Sequence, residues 1–297
     1  MELDKLLNTI LRGVQTGSLY ALVAIGLNIA FRATKVFNFA HGDFVMVGTV
    51  AGVLLWQEWG LPLIPALLVA SLGAALMAVI VERVAVRPTI KQPNPQWIVS
   101  TLGASVVIST LFNELLLNTG DKLETRVFPD IVHFDTFQWR TVYFIPTRML
   151  PVAVLVVMAS CLTLLFAKTD FGRAFNAVAD DRDAAALRGV PVMTISILAF
   201  ALAGLTAGIA GFIAGPITQA SAFSGLPLTI SAFVASAIGG MGTIRGAVVG
   251  GIVLGVIEAS AAQYLDTRFS APIVLVAFLV VLMIRPQGLT TRSFRTV

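Results

Sequence analysis

The sequence predicts an all-α polytopic membrane protein with eight or nine transmembrane helices and one short cytoplasmic helix. Composition carries much of this prediction, because 57% of the 297 residues are apolar and only 12% are Asp, Glu, Lys or Arg. The mean hydropathy is +0.89. Soluble domains carry about 25% charged residues, and a soluble chain of this size could not bury so much apolar surface. An ordinary soluble enzyme is therefore excluded. The basic residues form no dense cluster, so we expect no nucleic-acid partner.

A series of long apolar runs carries the rest of the prediction, since a helix needs about 20 such residues to cross the hydrocarbon core. Six of these runs are Gly13–Phe31, Leu61–Val81, Trp97–Asn113, Met149–Ala167, Gly246–Leu265 and Phe269–Ile284. The segment Val190–Ile244 lacks charged residues and histidine, and it predicts two crossings joined near Gly215-Pro216 and Ser224–Pro227. The less regular segment Val36–Gln57 is the ninth candidate.

The distribution of Lys and Arg predicts the orientation of these helices. Nine crossings with a cytoplasmic C-terminus place most of the 20 basic residues on the inner side, as the positive-inside rule requires. The N-terminus then lies outside. Glu2 and Asp4 precede an apolar stretch that is too long for a signal peptide, so we expect a retained first helix. Residues 1–297 are interpreted as one transmembrane domain.

Glycines at four-residue spacing predict closely packed helices, because small residues let helix backbones approach each other in lipid. Pairs of this kind include Gly13/Gly17, Gly48/Gly52, Gly204/Gly208, Gly211/Gly215 and Gly251/Gly255. A different pattern occurs at Gly239, Gly240 and Gly242, where the glycines cluster. This cluster predicts a broken helix beside protein or water and is a candidate for the transport path.

Motifs for covalent or metal chemistry are missing from the sequence. It contains no P-loop signature, no nucleophile elbow and no zinc-binding H-E-x-x-H helix. Its two histidines, His41 and His133, and its single cysteine, Cys161, cannot form a His- or Cys-rich metal site. We therefore expect no catalytic residue, no cofactor and no metal.

Two loops stand out between the apolar runs. In the inner loop, the alanine-rich run Arg173–Arg188 ends at Gly189 and predicts a short amphipathic helix. Such a helix either lies on the membrane surface or docks into a groove of a partner, with small side chains such as Ala184 and Ala185 allowing close approach. In the outer loop, the alternation in Phe134–Arg140 predicts a strand or hairpin, which serves as an interfacial anchor or a docking platform.

Ionisable residues inside apolar runs are functional candidates by default. Asn38, His41 and Asp43 lie in the first third of the segment at 36–57, where they either brace the start of a helix or form part of a gate. Asp43 would favour the positive end of that helix. Glu258 either pairs with Arg245 or Arg268 or lines the path.

Four segments in order carry a resemblance to a known family. Asp183–Gly189 is similar to the E-A-A-x-x-x-G loop of bacterial ABC-importer permeases, with Asp in place of Glu. The segment N-F-A-H-G-D-F at 38–44 resembles the hallmark of the branched-chain (hydrophobic) amino-acid permease family. Ile238–Glu258 and Arg285–Leu289 also look like this family. The chain resembles the shorter of the two permease types in such transporters.

The resemblance implies a subunit of the bacterial inner membrane that performs no covalent chemistry. It would form a heterodimer with a second homologous permease, be driven by two cytoplasmic ATP-binding subunits and receive substrate from a periplasmic binding protein. The segment Arg173–Gly189 would couple it to the ATP-binding subunits. The coupling residues expected from the resemblance are Arg173, Asp180, Asp183, Ala184, Ala185, Arg188 and Gly189.

Three questions stay open at this point. Permeases for urea and short-chain amides share the N-F-A-H-G-like motif, so the substrate is a branched-chain amino acid, another amino acid or such an amide. A homodimer is the alternative to the heterodimer. An autonomous secondary transporter or channel is the alternative of a different class. It would need ion-coupling carboxylates in mid-span, for which Glu258, Asp43 and Glu114 are the candidates.

Overall fold

A computed structural model describes residues 2–90, 95–118, 125–132, 137–139, 142–265, 268, 270–285 and 287–290. In this part of the chain the protein is a bundle of α-helices with short strands in two connections. The helices are α1 Glu2–Thr34, α2 His41–Val53, α3 Leu63–Val81, α4 Gln96–Asn118, α5 Pro146–Lys168, α6 Asp170–Asp180, α7 Arg182–Leu187, α8 Val192–Thr218, α9 Gly225–Gly239, α10 Ile244–Tyr264 and α11 Ser270–Ile284. The strands are β1 Thr125–Arg126, β2 Phe137–Trp139, β3 Val142–Phe144 and β4 Ala220–Ser221.

The all-α polytopic class predicted from composition is confirmed. Six helices of the described part are long and apolar enough to cross a membrane, namely α1, α3, α4, α5, α8 and α10. Helices α9 and α11 are apolar but shorter. Helix α2 continues as a π-helical turn over Leu54–Glu58, and α3 continues through Glu82–Val86 and Arg87–Thr89.

One predicted helix boundary is wrong, although the connection itself is present between α8 and α9. Gly215 and Pro216 lie inside α8 rather than between two helices. Pro216 comes only two residues before the helix ends at Thr218, so its missing N–H interrupts the ladder only in the last turn. The turn follows at Gln219, which has a φ of +62°, and the second predicted junction at Ser224–Pro227 is the beginning of α9.

Glycines hold α1 against α10. A Cβ atom added to Gly13 would lie 2.6 Å from the Cα atom of Val256, and one added to Gly17 would lie 2.8 Å from that of Ile252. From the opposite side, a Cβ atom on Gly251 would lie 2.6 Å from the Cα atom of Ala21. Each distance is too short for any residue other than glycine. The predicted packing role of these glycines is confirmed.

A second set of glycines brings α8 against α2 and α3. A Cβ atom on Gly48 would lie 2.7 Å from the Cα atom of Gly208, and one on Gly208 would lie 2.7 Å from that of Ser71. Thr49 adds a hydrogen bond across the same interface, because its hydroxyl donates to the carbonyl oxygen of Gly211 at 3.0 Å. Helix α8 is therefore packed between two neighbours and is among the most buried elements.

The strands lie in the connections at one end of the bundle. β2 and β3 form an antiparallel hairpin, as the alternation in Phe134–Arg140 predicts. The remaining residues of that run, 134–136 and 140, lie outside the described residues. β1 pairs with β4. Arg126, the last residue of β1, forms a 2.7 Å salt bridge with Glu58.

The predicted single helix over Arg173–Arg188 is also wrong, because the chain forms two helices there, α6 and α7. Asp181 separates them in an extended conformation, and its carboxylate accepts hydrogen bonds from the backbone N–H groups of Asp183 and Ala184 at 2.9 and 3.0 Å. Aspartate is a preferred N-cap residue, so it begins a new helix. Thr169 caps α6 in the same way.

We expect Gly208→Val to destabilise the helix packing by at least the 1–3 kcal/mol that is typical of an overpacked core. The first atom of the new side chain would collide with the backbone of α3, which cannot rotate away. The matched control is Gly73→Val on α3, where a Cβ atom meets nothing within 4 Å. Thermal unfolding followed by size-exclusion chromatography in detergent measures the difference, and equal melting temperatures for both variants would contradict the packing role.

Candidate functional site

Helices α6 and α7 form a groove of about 470 Å³ at one end of the bundle. Five of the seven predicted coupling residues line it, namely Arg173, Asp180, Ala184, Ala185 and Arg188. The kink at Asp181 produces this groove, since it turns the face of α7 towards that of α6. The predicted coupling residues are thus brought together by two helices rather than by one continuous face.

The other two predicted coupling residues, Asp183 on α7 and Gly189 just after it, do not line the groove. Asp183 is exposed in the first turn, and Gly189 follows the helix with a φ of +81°. A positive φ at this position is the usual end of a helix and favours glycine. Between them, Leu187 is 90% exposed. A large apolar side chain at the surface, beside a groove with both charges, is suited to contact another protein.

Arg182 connects α7 to the bundle. Its guanidinium donates a hydrogen bond to the backbone carbonyl of Ala33 in the last turn of α1. Burial lowers the pKa of Arg182, and the nearby carboxylate of Glu82 opposes that shift. Glu82 is itself fully buried, forms a 2.7 Å salt bridge with Arg87 and accepts a 3.2 Å hydrogen bond from Ser196. Arg182 therefore bonds α7 to α1 and interacts electrostatically with Glu82, which follows α3.

A second connection joins α6 to α1. Arg32 donates a hydrogen bond to the side-chain oxygen of Asn176 at 3.2 Å, and its guanidinium lies 5.5 Å from the centre of the Phe175 ring. Phe175 packs against Phe166 at the end of α5. A displacement of α6 or α7 would thus be transmitted to the end of α1.

The N-F-A-H-G-D segment forms the start of α2. The side-chain oxygen of Asn38 accepts a 3.0 Å hydrogen bond from the backbone N–H of Ala40. His41 is fully buried, and its Nε2 lies 3.1 Å from the carbonyl oxygen of Val23, so Nε2 carries the proton. Asp43 lies in the first turn of α2, as its predicted helix-end role requires, and packs against Gly225. These contacts tie α2 to α1 and α9.

The glycine cluster forms the junction between α9 and α10. Helix α9 ends at Gly239 and α10 begins at Ile244, so the cluster forms the turn between two successive helices rather than a break within one. Gly240 and Gly242 have φ values of +116° and +77°, which side chains rarely adopt. Asn28 bridges the junction, because its side chain accepts a hydrogen bond from the N–H of Gly242 and donates one to the carbonyl of Thr243, both at 3.1 Å.

The C-terminal tail donates hydrogen bonds to the last carbonyl groups of α9. The backbone N–H groups of Leu289 and Thr290 donate to the carbonyl oxygens of Ile238 and Gly239 at 2.8 and 3.0 Å. The last carbonyls of a helix have no partner within the helix, so this contact replaces a conventional cap. The segment Arg285–Leu289 and the glycine cluster, which are far apart in sequence, therefore belong to one structural unit.

Glu258 lies apart from the other pathway candidates, towards the opposite end of α10. The predicted pair with Arg245 is wrong, because 13 residues of the same helix place the two about 20 Å apart. The carboxylate of Glu258 instead lies near Tyr20 on α1 and interacts with it electrostatically. Glu258 also lines a cavity of about 490 Å³ together with Arg12. A pair with Arg268 stays a prediction.

Several residues that connect these parts were not predicted as site residues. Arg182, Glu82, Arg32 and Asn176 link the surface helices to the bundle. A buried carboxylate was foreseeable at Glu82, which follows an apolar run and precedes Arg87 by five residues. No sequence pattern predicts the contacts of Arg182 and Asn176, because both residues lie in a polar loop where most side chains are solvated.

Comparison with known proteins agrees with this arrangement. LivH of Salmonella typhimurium, a high-affinity branched-chain amino acid transport system permease protein, is 28% identical, with 96% of each chain covered. BraD of Pseudomonas aeruginosa has the same description and is 28% identical, with 98% of this chain and 97% of BraD covered.

A similar fold occurs in the solved structure of PsaBC from Streptococcus pneumoniae in complex with Fab. The TM-score is 0.50 at 14% identity, with 93% of this chain and 91% of that chain covered. The family model for "Branched-chain amino acid transport system / permease component" matches residues 9–285. The chain therefore belongs to the family of branched-chain amino acid transport system permease components.

Proposed function

We propose that this chain is a permease subunit of an ABC importer that takes up branched-chain amino acids. Separate cytoplasmic ATP-binding subunits drive it, and a periplasmic binding protein supplies the substrate. The observation that carries the proposal is the family match over residues 9–285, since the relatives named above transport branched-chain amino acids. In this proposal a second, homologous permease subunit completes the transport path, and the two subunits form a heterodimer.

In the proposed topology the chain crosses the inner membrane nine times as one domain over residues 1–297. Helix α2 with its π-helical turn, α9 and α11 add three crossings to the six long helices. His41–Glu58 comprises 18 residues and would span about 27 Å, close to the thickness of the hydrocarbon core. The distribution of Lys and Arg supports an N-terminus outside and a C-terminus in the cytoplasm.

This orientation puts the groove between α6 and α7 on the cytoplasmic side, where we propose that it receives an ATP-binding subunit. Leu187, Arg173 and Arg188 supply an exposed apolar side chain and exposed charges for that contact. Arg182 and Arg32 then carry the movement of the two helices to α1. We place the hairpin β2–β3 on the periplasmic side, where it can contact the binding protein.

For the transport path we propose a structural gate rather than a binding site at the α9–α10 junction. Gly239, Gly240 and Gly242 allow the backbone to bend there, and Asn28 holds the bend in one position. The burial and contacts of His41 support a bracing role at the start of α2. Asn38 and Asp43 belong to the same brace, and Glu258 is the remaining pathway candidate.

Reconstitution tests the function directly. Proteoliposomes that contain this chain, its second permease and the ATP-binding subunits should accumulate leucine when ATP and the binding protein are supplied. Uptake should cease without ATP hydrolysis, because in the proposed importer the separate ATP-binding subunits supply the energy. Uptake of urea in place of leucine would reject the substrate assignment. Uptake by the chain alone, driven by an ion gradient, would reject the importer and support a secondary transporter.

The coupling role predicts that Leu187→Asp weakens co-purification of the ATP-binding subunits by at least tenfold while membrane insertion and melting temperature stay unchanged. The side chain is 90% exposed, so the substitution removes surface apolar area and leaves the fold intact. Val127→Asp is the matched control, because Val127 is 73% exposed and directly follows β1, in the connection that joins α4 to α5. Retention of the ATP-binding subunits by Leu187→Asp would contradict the coupling surface.

The gate predicts that Asn28→Leu lowers both the melting temperature and the rate of ATP-driven uptake. The substitution leaves the N–H of Gly242 and the carbonyl of Thr243 without their partner, which costs about 1–3 kcal/mol for each buried group. Asn118→Leu is the control, since Asn118 donates a hydrogen bond to Glu114 one turn back in its own helix. Normal uptake by Asn28→Leu would show that the junction needs no such bridge.

A further inference from the structure

Two adjoining cavities form one groove between the C-terminal end of α5 and the N-terminal end of α10. Their volumes are about 340 and 750 Å³. They share four lining residues, Thr163, Ile244, Arg245 and Thr290. The groove borders the proposed coupling surface at Asn176 and the proposed gate at Thr243, but neither of these roles uses the shared lining residues.

One end of the groove is polar and positively charged. Arg32 and Arg245 line it, together with the neutral polar side chains of Asn176, Thr243 and Thr290. Among the described residues, no carboxylate lines either cavity, although Asp180 on α6 acts electrostatically on Arg32. The N-terminus of α10 adds partial positive charge at the same place.

The two arginines differ in how many contacts their guanidinium groups make. Arg32 is held in position by Asn176 and by the ring of Phe175. Arg245 is exposed and makes no ion pair or hydrogen bond within the part of the chain that the structure describes. A fixed guanidinium beside an uncompensated one is a favourable arrangement for an anion with several oxygen atoms, such as a phosphate group.

The other end of the groove is apolar and follows the helices into the bundle. Ala159, Leu164, Val248 and Val249 line it. Ser160, which also lines it, lies eight residues before the end of α5, so the groove extends about 12 Å from the helix ends. Leu164 is 52% exposed and Val249 is 38% exposed, so the groove opens sideways towards the surrounding lipid.

We propose that this groove binds one anionic phospholipid. Its phosphate lies between Arg32 and Arg245, and an acyl chain lies along the apolar side chains of α5 and α10. A charged end at the helix termini and an apolar end within the span match the two parts of a lipid, whereas a soluble anion would use only the first. The bound lipid ties α5 to α10 next to the α9–α10 junction.

The test is native mass spectrometry of the delipidated full-length protein, titrated with phosphatidylglycerol and, separately, with zwitterionic phosphatidylcholine. Phosphatidylglycerol should bind at least fivefold more tightly. Arg245→Gln should weaken phosphatidylglycerol binding about fivefold, the effect expected of one cationic residue at a lipid surface. Val249→Trp should weaken it as well by filling the apolar part. Neither variant removes a contact that the fold uses, and the melting temperature checks this.

Arg83→Gln is the matched control, because Arg83 is exposed at the end of α3 and lies outside the groove. An equal loss in Arg83→Gln and Arg245→Gln would overturn the site and indicate general attraction to the protein surface. Displacement of the lipid by millimolar inorganic phosphate, with no effect of Val249→Trp, would show a phosphate site instead. Loss of the lipid on assembly with the second permease would show a subunit interface and overturn the proposal.

Discussion

The close approach of α1 and α10 is the constraint on which the rest of the structure depends. In a membrane, an apolar side chain gains little free energy by moving from lipid into a helix interface, because both are apolar. Van der Waals contact between the helix backbones must therefore supply the attraction. Gly13 and Gly17 on one helix and Gly251 and Gly255 on the other make that contact possible. A single larger side chain at any of them would push the two helices apart.

Helix α1 then serves as the common support for the candidate functional parts. Tyr20 contacts Glu258, Gly26 accommodates the ring of His41, and Asn28 bridges the α9–α10 junction. Arg32 and the carbonyl of Ala33 receive the two connections from the surface helices. The surface helices, the α9–α10 junction and the α2 brace therefore share α1 as a common contact, and α2 also contacts α9 directly.

Much of the fold could be predicted from periodicity and composition, whereas the connections could not. The glycine cluster at 239–242 predicts an interruption of the helix, and the structure has there the turn between α9 and α10, with positive φ values at Gly240 and Gly242. The run Arg173–Arg188 misled the prediction, because its alanines favour a continuous helix and the cap at Asp181 overrides them. Glu82 acts electrostatically on Arg182 across about 100 residues of sequence, a relation that no local pattern contains.

Hydropathy and charge alone determine that this chain lies in a membrane as a set of apolar helices, because a backbone in lipid must satisfy its hydrogen bonds within each segment. Local residue patterns also determine where glycine is required and where helices end. The tertiary structure alone decides which helices touch, which carbonyls the tail at Leu289 and Thr290 satisfies, and where Arg245 and Arg32 meet. Those relations depend on which helices are neighbours in the bundle, because contacts between neighbouring helices join residues that are distant in sequence.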